Sequence, residues 1–265
     1  MATQKAIFIT GAASGIGRAV AMFFAAKGWF VGIADVNETG MAQTAALLPG
    51  GSSSTHVLDV RDRAAWDRAL TAFTKATGGR LDVLFNNAGI ARSGQFCDVS
   101  HADNDLLIDV NLKGVINGAE AGFSYLKATP GSCLLNTSSL AGMVAGSGFA
   151  VYAATKFGVR ALTEALEIEW ASHGIKVCSL MPSFIETPLL NENTSGSNHN
   201  VRQGVIEAGL EITPVDRVAE AAWAAVQGKK THTLVGKTAE EVGFLMNWAP
   251  WLVRRRLKRT GGIAK

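Results

Sequence analysis

The sequence predicts an α/β fold built on one parallel, doubly wound sheet with helices on both faces. Short apolar or β-branched runs alternate with helical patterns along the chain. Strands separated by helices of that length need crossover connections, which make the strands parallel. Such crossovers are almost always right-handed and therefore cover both faces of the sheet. The length of 265 residues suits a single large α/β domain.

The individual elements follow from the apolar patterns. Strands are expected at residues 6–10, 30–34, 56–58, 81–85, 133–136 and 176–180. Helices are expected at residues 16–27, 41–48 and 63–75, and another continues from Tyr152 to Trp170. Residues 191–200 are rich in Asn, Ser, Thr and Gly, which is typical of a mobile lid or binding loop, with a surface insertion as the alternative. We expect one domain at residues 1–237, with a substrate loop near 188–212, and an apolar and basic tail at 238–265.

Composition excludes several classes of protein. Apolar residues make up 48% of the chain and charged residues 18%, which is a globular and not a disordered composition. The three cysteines are too far apart for a disulfide framework or a metal site, and Cys133 and Cys178 are expected to be small buried hydrophobes. The chain shows neither a signal-peptide pattern nor about 20 continuous apolar residues, so we expect a cytoplasmic protein.

Positive charge is concentrated at the end of the chain. The net charge of +3 is too small to indicate nucleic-acid binding. Six cations, without an acid among or after them, are Arg254, Arg255, Arg256, Lys258, Arg259 and Lys265. Removing those six charges changes the net charge from +3 to −3, so the positive excess belongs to the tail.

A glycine-rich turn joins the first expected strand to the first expected helix. It runs Thr10-Gly-Ala-Ala-Ser-Gly-Ile-Gly17, and its candidate cofactor-binding residues are Gly11, Ser14, Ile16 and Gly17. Such a turn presents backbone N–H groups at a helix N-terminus, where the helix dipole also favours an anion. Glycines allow the sharp turn and the close approach of a pyrophosphate. A strand before and a helix after make this a Rossmann-type dinucleotide-binding pattern.

An acidic residue at the end of the second strand favours NAD as the cofactor. Asp35 lies 18 residues beyond Gly17, near the expected position of the acid that binds the adenosine ribose. A carboxylate accepts hydrogen bonds from the ribose hydroxyls of NAD and repels the 2′-phosphate of NADP. Neither Ser14 nor Val36 provides the basic side chain that a 2′-phosphate would need. A structural aspartate at a strand end is the alternative.

A tyrosine and a lysine four residues apart suggest acid–base chemistry. Tyr152 and Lys156 share one face of the expected helix. A free tyrosine has a pKa of about 10, but a nearby ammonium and the positive charge of an oxidised nicotinamide both favour the phenolate. The chain has one other tyrosine, Tyr125, which lacks such a lysine. Ser139 follows a strand end, where its hydroxyl would face the ligand crevice and hydrogen-bond a substrate oxygen.

Together these motifs resemble the short-chain dehydrogenase/reductase family. The resemblance runs from about Ala6 to Thr187 and includes the glycine turn, Asn86-Asn87-Ala88-Gly89, Asn111, Ser139, Tyr152 and Lys156. It implies that Tyr152 is the acid–base and that Lys156 binds the nicotinamide ribose and lowers the tyrosine pKa. It also implies that Ser139 orients the substrate oxygen and that Asn111 holds a water in a proton relay. The further cofactor contacts that it implies are Asp59, Val60, Asn86, Ala88, Gly89, Ile185 and Thr187.

One position departs from the family pattern. After Met181-Pro182 the family usually has glycine, whereas this chain has Ser183. The added Cβ bears on the local backbone path beside the expected nicotinamide site.

The function expected from these features is NAD-dependent interconversion of an alcohol and a ketone. The apolar tail suggests a hydrophobic substrate, and family members are commonly dimers or tetramers. Packing of the tail against a neighbouring subunit or over the site is favoured over contact with anionic lipid. The alternatives are a 3-oxoacyl reductase, which Asp35 opposes because such enzymes usually use NADPH, and a non-catalytic NAD-binding sensor or scaffold.

Overall fold

The computed structural model describes residues 4–192, 194–195 and 200–260. In these residues the strands are β1 (Ala6–Thr10), β2 (Phe30–Asp35), β3 (Ser53–Val57), β4 (Val83–Asn86), β5 (Ser93–Gly94), β6 (Cys133–Thr137), β7 (Lys176–Pro182), β8 (Thr194–Ser195) and β9 (His232–Val235). The α-helices are α1 (Gly15–Ala26), α2 (Glu38–Ala46), α3 (Arg63–Ala76), α4 (His101–Ile108), α5 (Gly114–Ala128), α6 (Ala150–Trp170), α7 (Val201–Glu207), α8 (Val215–Gln227), α9 (Lys237–Trp248) and α10 (Pro250–Thr260).

Seven of the described strands form one parallel sheet in the order β3-β2-β1-β4-β6-β7-β9. The strand order reverses between β1 and β4, which opens a crevice at the carboxyl ends of the strands. The expected doubly wound, single-domain α/β fold is therefore confirmed. The short strands β5 and β8 pair in parallel outside this sheet.

Alternate residues of the central strands bury opposite faces of the sheet. In β1, Ile7 and Ile9 pack with the helices α1 and α8, whereas Phe8 packs with Trp66 and Phe73 of α3. All five β1 residues are buried, which is expected for a strand covered on both faces. Two apolar layers of this kind hold the crevice at one end of a rigid sheet.

The element bounds confirm most of the sequence expectations, with shifts at the ends. The strand at residues 6–10 is confirmed without change. Helix α2 begins three residues before the expected residue 41, because the Asn37 side chain accepts a hydrogen bond from Gly40 N at 2.9 Å and caps it. Strand β3 covers 53–57 instead of 56–58, since its register with β2 extends from Val31 to Asp35. Cys133 and Cys178 are buried as free thiols, and their sulfurs lie 3.6 Å apart on the neighbouring strands β6 and β7.

Two expectations near the end of the chain meet the limits of the described residues. Of the expected loop at 191–200, Asn193 and residues 196–199 lie outside them, while Thr194–Ser195 pairs with β5. The expected tail boundary at residue 238 falls at the start of α9, and residues 261–265, including Lys265, lie outside the described part.

Candidate active site

A cleft of about 1000 Å³ opens at the carboxyl ends of the strands, beside the point where the strand order reverses. The sequence-predicted residues that line it are Gly11, Ser14, Ile16, Asp35, Asp59, Val60, Ala88, Gly89, Ser139, Tyr152, Lys156, Ile185 and Thr187. Three others, Gly17, Asn86 and Asn111, are not part of its lining. The structure therefore brings most of the predicted residues to one site.

Close backbone packing explains the glycine turn between β1 and α1. Gly11 has φ +68°, and a Cβ on it would lie 2.9 Å from the Cα of Ala88. A Cβ on Gly17 would lie 2.2 Å from the carbonyl oxygen of Gly11. No side chain caps the N-terminus of α1, and Ser14 and Ile16 at that terminus face the cleft. The first turn of α1 thus presents N–H groups to an anion.

Two backbone N–H groups fix the carboxylate of Asp35 at the cleft wall. Ala13 N donates to one carboxylate oxygen at 3.1 Å, and Asn37 N donates to the other at 3.0 Å. These bonds tie the end of β2 to the glycine turn. The carboxylate therefore has a defined position before any ligand binds.

The Asp59 carboxylate forms an ion pair that the sequence analysis missed. Arg61 Nε donates to both Asp59 oxygens at 2.9 and 3.0 Å, and its Nη2 donates at 2.6 Å. These hydrogen bonds lower the pKa of Asp59. Arg61 itself also lines the cleft. The signal in the sequence was a cation two residues after an aspartate, which is too common to be specific.

The two asparagines at the end of β4 have different surroundings, one in the sheet and one at the cleft. Asn86 is buried, and its Nδ2 donates to Asn136 Oδ1 at 3.0 Å. Asn87 lines the cleft; its Nδ2 donates to Thr10 O at 2.9 Å, and its Oδ1 accepts from Thr137 at 3.2 Å. Asn87 thus joins β1 to β6 across β4. The family resemblance implies Asn86 as a cofactor contact, but Asn87 is the asparagine of the pair that lines the cleft.

Ser139, Tyr152 and Lys156 lie close together at the centre of the cleft. Tyr152 and Lys156 lie one turn apart on α6, and the lysine Nζ is 5.6 Å from the centroid of the tyrosine ring. Lys156 Nζ donates to Thr137 O at 3.0 Å. The Ser139 hydroxyl is hydrogen-bonded with Tyr152 and accepts from Ala141 N at 3.1 Å.

Burial dominates the protonation of this group. Burial raises the pKa of Tyr152, and its hydrogen bond with Ser139 acts in the opposite direction. Burial also lowers the pKa of Lys156 to about 8. In the chain alone the lysine therefore does not produce the lowered tyrosine pKa that the sequence analysis expected. The physical reason is that loss of hydration destabilises the phenolate more than the neighbouring groups stabilise it.

Asn111 lies behind the cleft wall in a turn of π-helix at Asp109–Lys113. Its side chain is fully buried, and it both accepts from Ile90 N and donates to Ile90 O at 2.9 Å. A Cβ on Gly89 would lie 3.3 Å from Asn111 Oδ1 and 3.6 Å from Lys156 Nζ. Asn111 therefore fixes the loop after β4 close to the lysine ammonium.

The end of β9 accommodates Ser183, the one departure from the family pattern. Its N and Oγ both donate to Val235 O, at 3.0 and 3.3 Å. Gly236, which follows Val235 at the end of β9, has φ +95°, and a Cβ there would lie 2.5 Å from Ser183 Oγ. Glycine at 236 thus provides the space that serine at 183 requires.

The substrate end of the cleft is apolar with acidic residues at its edge. Its apolar lining includes Leu140, Val144, Phe149, Phe184, Leu189 and Leu190. The charged residues that the structure places in this part of the lining are Asp98, Glu192 and Glu207. The described lining cations are Lys156 and Arg61, which lie at the centre and near Asp59. Glu192 is paired with Arg92 at 3.3 Å, and the apolar lining suits an apolar ligand.

Comparisons with known proteins identify the family of the chain. The family model described as short chain dehydrogenase matches residues 5–198. Oxidoreductase UcpA of Salmonella typhimurium is 35% identical over 82% of this chain and 83% of its own length. Levodione reductase of Leifsonia aquatica is 32% identical over 83% of this chain and 84% of its own.

A solved structure shares both the fold and part of the sequence. The 3-ketoacyl-(acyl-carrier-protein) reductase from Brucella melitensis, complexed with NADH, has a TM-score of 0.76 and 29% identity. The likeness covers 87% of this chain and 96% of that one. The chain belongs to the short-chain dehydrogenase/reductase family of oxidoreductases.

Proposed function

We propose that this protein is an NAD-dependent oxidoreductase that interconverts a hydrophobic secondary alcohol and its ketone. The observation that carries the proposal is that Ser139, Tyr152 and Lys156 lie together in a cleft whose other end suits a dinucleotide. A cofactor-sensing or scaffold protein has no need of all three side chains at one point.

The residues of the cleft fit a nicotinamide dinucleotide. The glycine turn is tightly packed, because a Cβ on Gly11 or Gly17 would collide with backbone atoms of Ala88 or Gly11. The uncapped first turn of α1 would bind the pyrophosphate, and Asp35 would accept hydrogen bonds from the adenosine ribose. Val60 and Asp59 would contact the adenine, and Ile185 and Thr187 would contact the nicotinamide carboxamide. Further contacts would come from Ala88, Gly89 and Asn87, with Asn86 and Gly17 supporting them from behind.

NAD is favoured over NADP because the carboxylate of Asp35 is fixed where the two cofactors differ. Its two hydrogen bonds to backbone N–H groups restrict its movement away from a 2′-phosphate. Arg61 is the nearby lining cation, and its guanidinium is already bonded to Asp59. The NADH complex of the Brucella melitensis reductase is consistent with this preference.

In the proposed reaction Tyr152 moves the proton of the substrate oxygen. The bound oxidised nicotinamide supplies a hydride acceptor and a positive charge. Ser139 holds the substrate oxygen beside the tyrosine hydroxyl, with which it already shares a hydrogen bond. Lys156, whose pKa of about 8 leaves it mostly charged at neutral pH, stabilises the phenolate and binds the ribose.

Asn111 would support the relay through main-chain atoms. Both ends of its side chain are bonded to Ile90, so the side chain is already committed to the loop after β4. A water beside Lys156 would then be held by backbone atoms of the π-helical turn, a type of turn found often at functional sites. Asn111 is therefore a positioning residue in this proposal.

A 3-oxoacyl reductase is the second candidate, because the Brucella melitensis structure belongs to a reductase of that type. Asp98 at the edge of the cleft opposes it, since its carboxylate would repel the phosphate-bearing arm and the acidic carrier of such substrates.

A substrate panel tests the proposal. The panel pairs hydrophobic secondary alcohols with matched alcohols that carry a distal carboxylate. Each is offered with NAD and with NADP, and the absorbance of reduced nicotinamide measures turnover. We expect turnover with NAD, and a kcat/KM at least roughly tenfold lower for each carboxylate partner. An Asp35→Asn variant should have a lower kcat/KM with NAD than the parent. The ratio of kcat/KM with NAD to kcat/KM with NADP should therefore be smaller in the variant. A preference for NADPH and 3-oxoacyl thioesters would instead establish the second candidate.

A further inference from the structure

The last two helices expose a group of large apolar side chains, here called the tail face. It consists of Phe244 and Trp248 of α9 and Trp251 and Leu252 of α10, which are 65, 73, 64 and 47% exposed. Phe244 and Trp248 are one turn apart and share one side of α9. Large contiguous apolar surfaces of this type mark interaction sites.

The opposite side of the same helices is packed, so their orientation is fixed. Val253 of α10 and Ala239 of α9 are buried in a cluster with Leu140 and Val144. Leu257 packs against the same cluster. The tail face is therefore the outer surface of a docked pair of helices. Within the described residues, the cleft lining includes none from α9 or α10, so these helices pack behind Leu140 and Val144, outside the cleft.

The α10 part of this surface is strongly basic, whereas α9 carries Glu240 and Glu241 one turn before Phe244. Helix α10 carries Arg254, Arg255, Arg256, Lys258 and Arg259 and no acidic residue. All five side chains belong to exposed residues. Aromatic side chains beside arginines suit the headgroup region of a bilayer, where the rings lie at the boundary and the cations meet anionic lipid.

We propose that the tail face docks on the surface of an anionic lipid bilayer. The contact is peripheral, since no described helix is long and apolar enough to cross a membrane. A second copy of this chain suits the tail face less well. A two-fold contact centred on α10 would place the same five cations opposite each other. Anionic lipid provides the complementary charge that such a contact lacks.

Vesicle co-sedimentation of the full chain tests this proposal. The probes are vesicles of phosphatidylcholine alone and of phosphatidylcholine with phosphatidylglycerol. We expect binding to the anionic vesicles only, with release by salt. The double variants Trp248→Ala/Trp251→Ala and Arg254→Glu/Arg255→Glu should each lower vesicle affinity by roughly tenfold or more. Because these residues are exposed, both variants should keep the parent melting temperature.

Matched controls lie elsewhere on the surface. Leu47→Ala/Val57→Ala removes two exposed apolar side chains at the β3 edge of the sheet, and Lys229→Glu/Lys230→Glu reverses two exposed charges outside α10. Both should bind vesicles like the parent. Tyr152→Phe should also bind normally, so the lipid proposal stands or falls independently of the catalytic one.

Two results would overturn the proposal. One is that the parent sediments equally with neutral and anionic vesicles, or that the tail variants sediment with anionic vesicles as strongly as the parent does. The other is that the parent binds no vesicles while light scattering gives the tail variants a lower molar mass than the parent. That result would make the tail face a subunit contact.

Discussion

At the scale of single residues, burial sets the protonation of the two groups that matter most. Tyr152 and Lys156 lose hydration at the centre of the cleft, which favours the neutral form of each side chain. The pKa of Tyr152 is therefore raised and that of Lys156 is lowered. Ser139 offsets part of this effect at the tyrosine. The free protein therefore keeps the tyrosine protonated, and in the proposed function we expect its ionisation to depend on charge that arrives with the cofactor.

This dependence can be measured directly because the chain has two tyrosines. In a Tyr125→Phe variant, Tyr152 is the remaining tyrosine, and its ultraviolet absorbance reports its ionisation. Without ligand we expect ionisation above the ordinary pKa of about 10, and oxidised NAD should lower the midpoint. The control lacks both tyrosines and should give no signal. A midpoint below 10 in the free protein would contradict the proposed role of burial.

The buried lysine predicts a pH dependence of stability. Its pKa is about 8 in the folded chain and 10.5 as the ordinary value, so between these values the unfolded state binds more protons. Stability relative to a Lys156→Met variant should therefore be constant below pH 8 and rise toward pH 10.5. The total rise should be about 3 kcal/mol, measured by urea unfolding of both proteins at matched pH. A difference that stays constant with pH would show that the lysine is hydrated in the fold.

At the scale of elements, the turn between β1 and α1 depends on an approach that permits no side chain. A Cβ on Gly17 would lie 2.2 Å from Gly11 O and 2.8 Å from the Cα of Ala12, and both are backbone atoms. Gly17→Ala should therefore destabilise the protein by about 1–3 kcal/mol and weaken NAD binding. Gly50, which has no atom within 4 Å of its Cβ position, provides the control. Equal stability and NAD affinity of Gly17→Ala and Gly50→Ala would rule out this explanation of the turn.

Elements with a strong apolar pattern could be predicted from the sequence, and those decided by contacts could not. Strand β1 was predicted without error because both of its faces are buried. The start of α2 depends on a hydrogen bond from Gly40 to the Asn37 side chain, which the apolar pattern does not show. Strand β9 was missed because it is four residues long and lies at the edge of the sheet.

The same division applies to the site. The spacing of Tyr152 and Lys156 was enough to predict that they meet, because a helix brings residues four apart together. Which asparagine after β4 faces the cleft was not predictable, since adjacent residues of a strand end point in opposite directions. The role of Arg61 depends on its contact with Asp59, which the sequence does not show. The space for the Ser183 side chain depends on Gly236, which follows a different strand.

At the scale of the whole molecule, two exposed apolar side chains on one side of α6 suggest a contact between copies of the chain. Phe157 and Ile168 are 41 and 76% exposed and lie eleven residues apart, which is close to three full turns and places them on one side of the helix. The adjacent helix α4 exposes Ile108. We expect this side of the molecule to form the contact of a homodimer or a homotetramer.

Light scattering checks this expectation. The parent should have the molar mass of a dimer or tetramer, and Ile168→Asp should lower it, because the new carboxylate would be buried in the contact. Val57→Asp, on an exposed residue of β3, is the control and should leave the molar mass unchanged. A monomeric parent, or equal masses for both variants, would exclude an interface at α6.

The most direct test of the proposed function compares the parent with Tyr152→Phe in two assays. Fluorescence titration measures NAD binding, and the absorbance of reduced nicotinamide measures turnover of the best alcohol from the panel. We expect Tyr152→Phe to bind NAD within about threefold of the parent and to lose kcat by roughly a hundredfold or more, because only proton transfer is removed. Turnover by Tyr152→Phe at a rate close to that of the parent would contradict the assignment of this tyrosine as the acid–base.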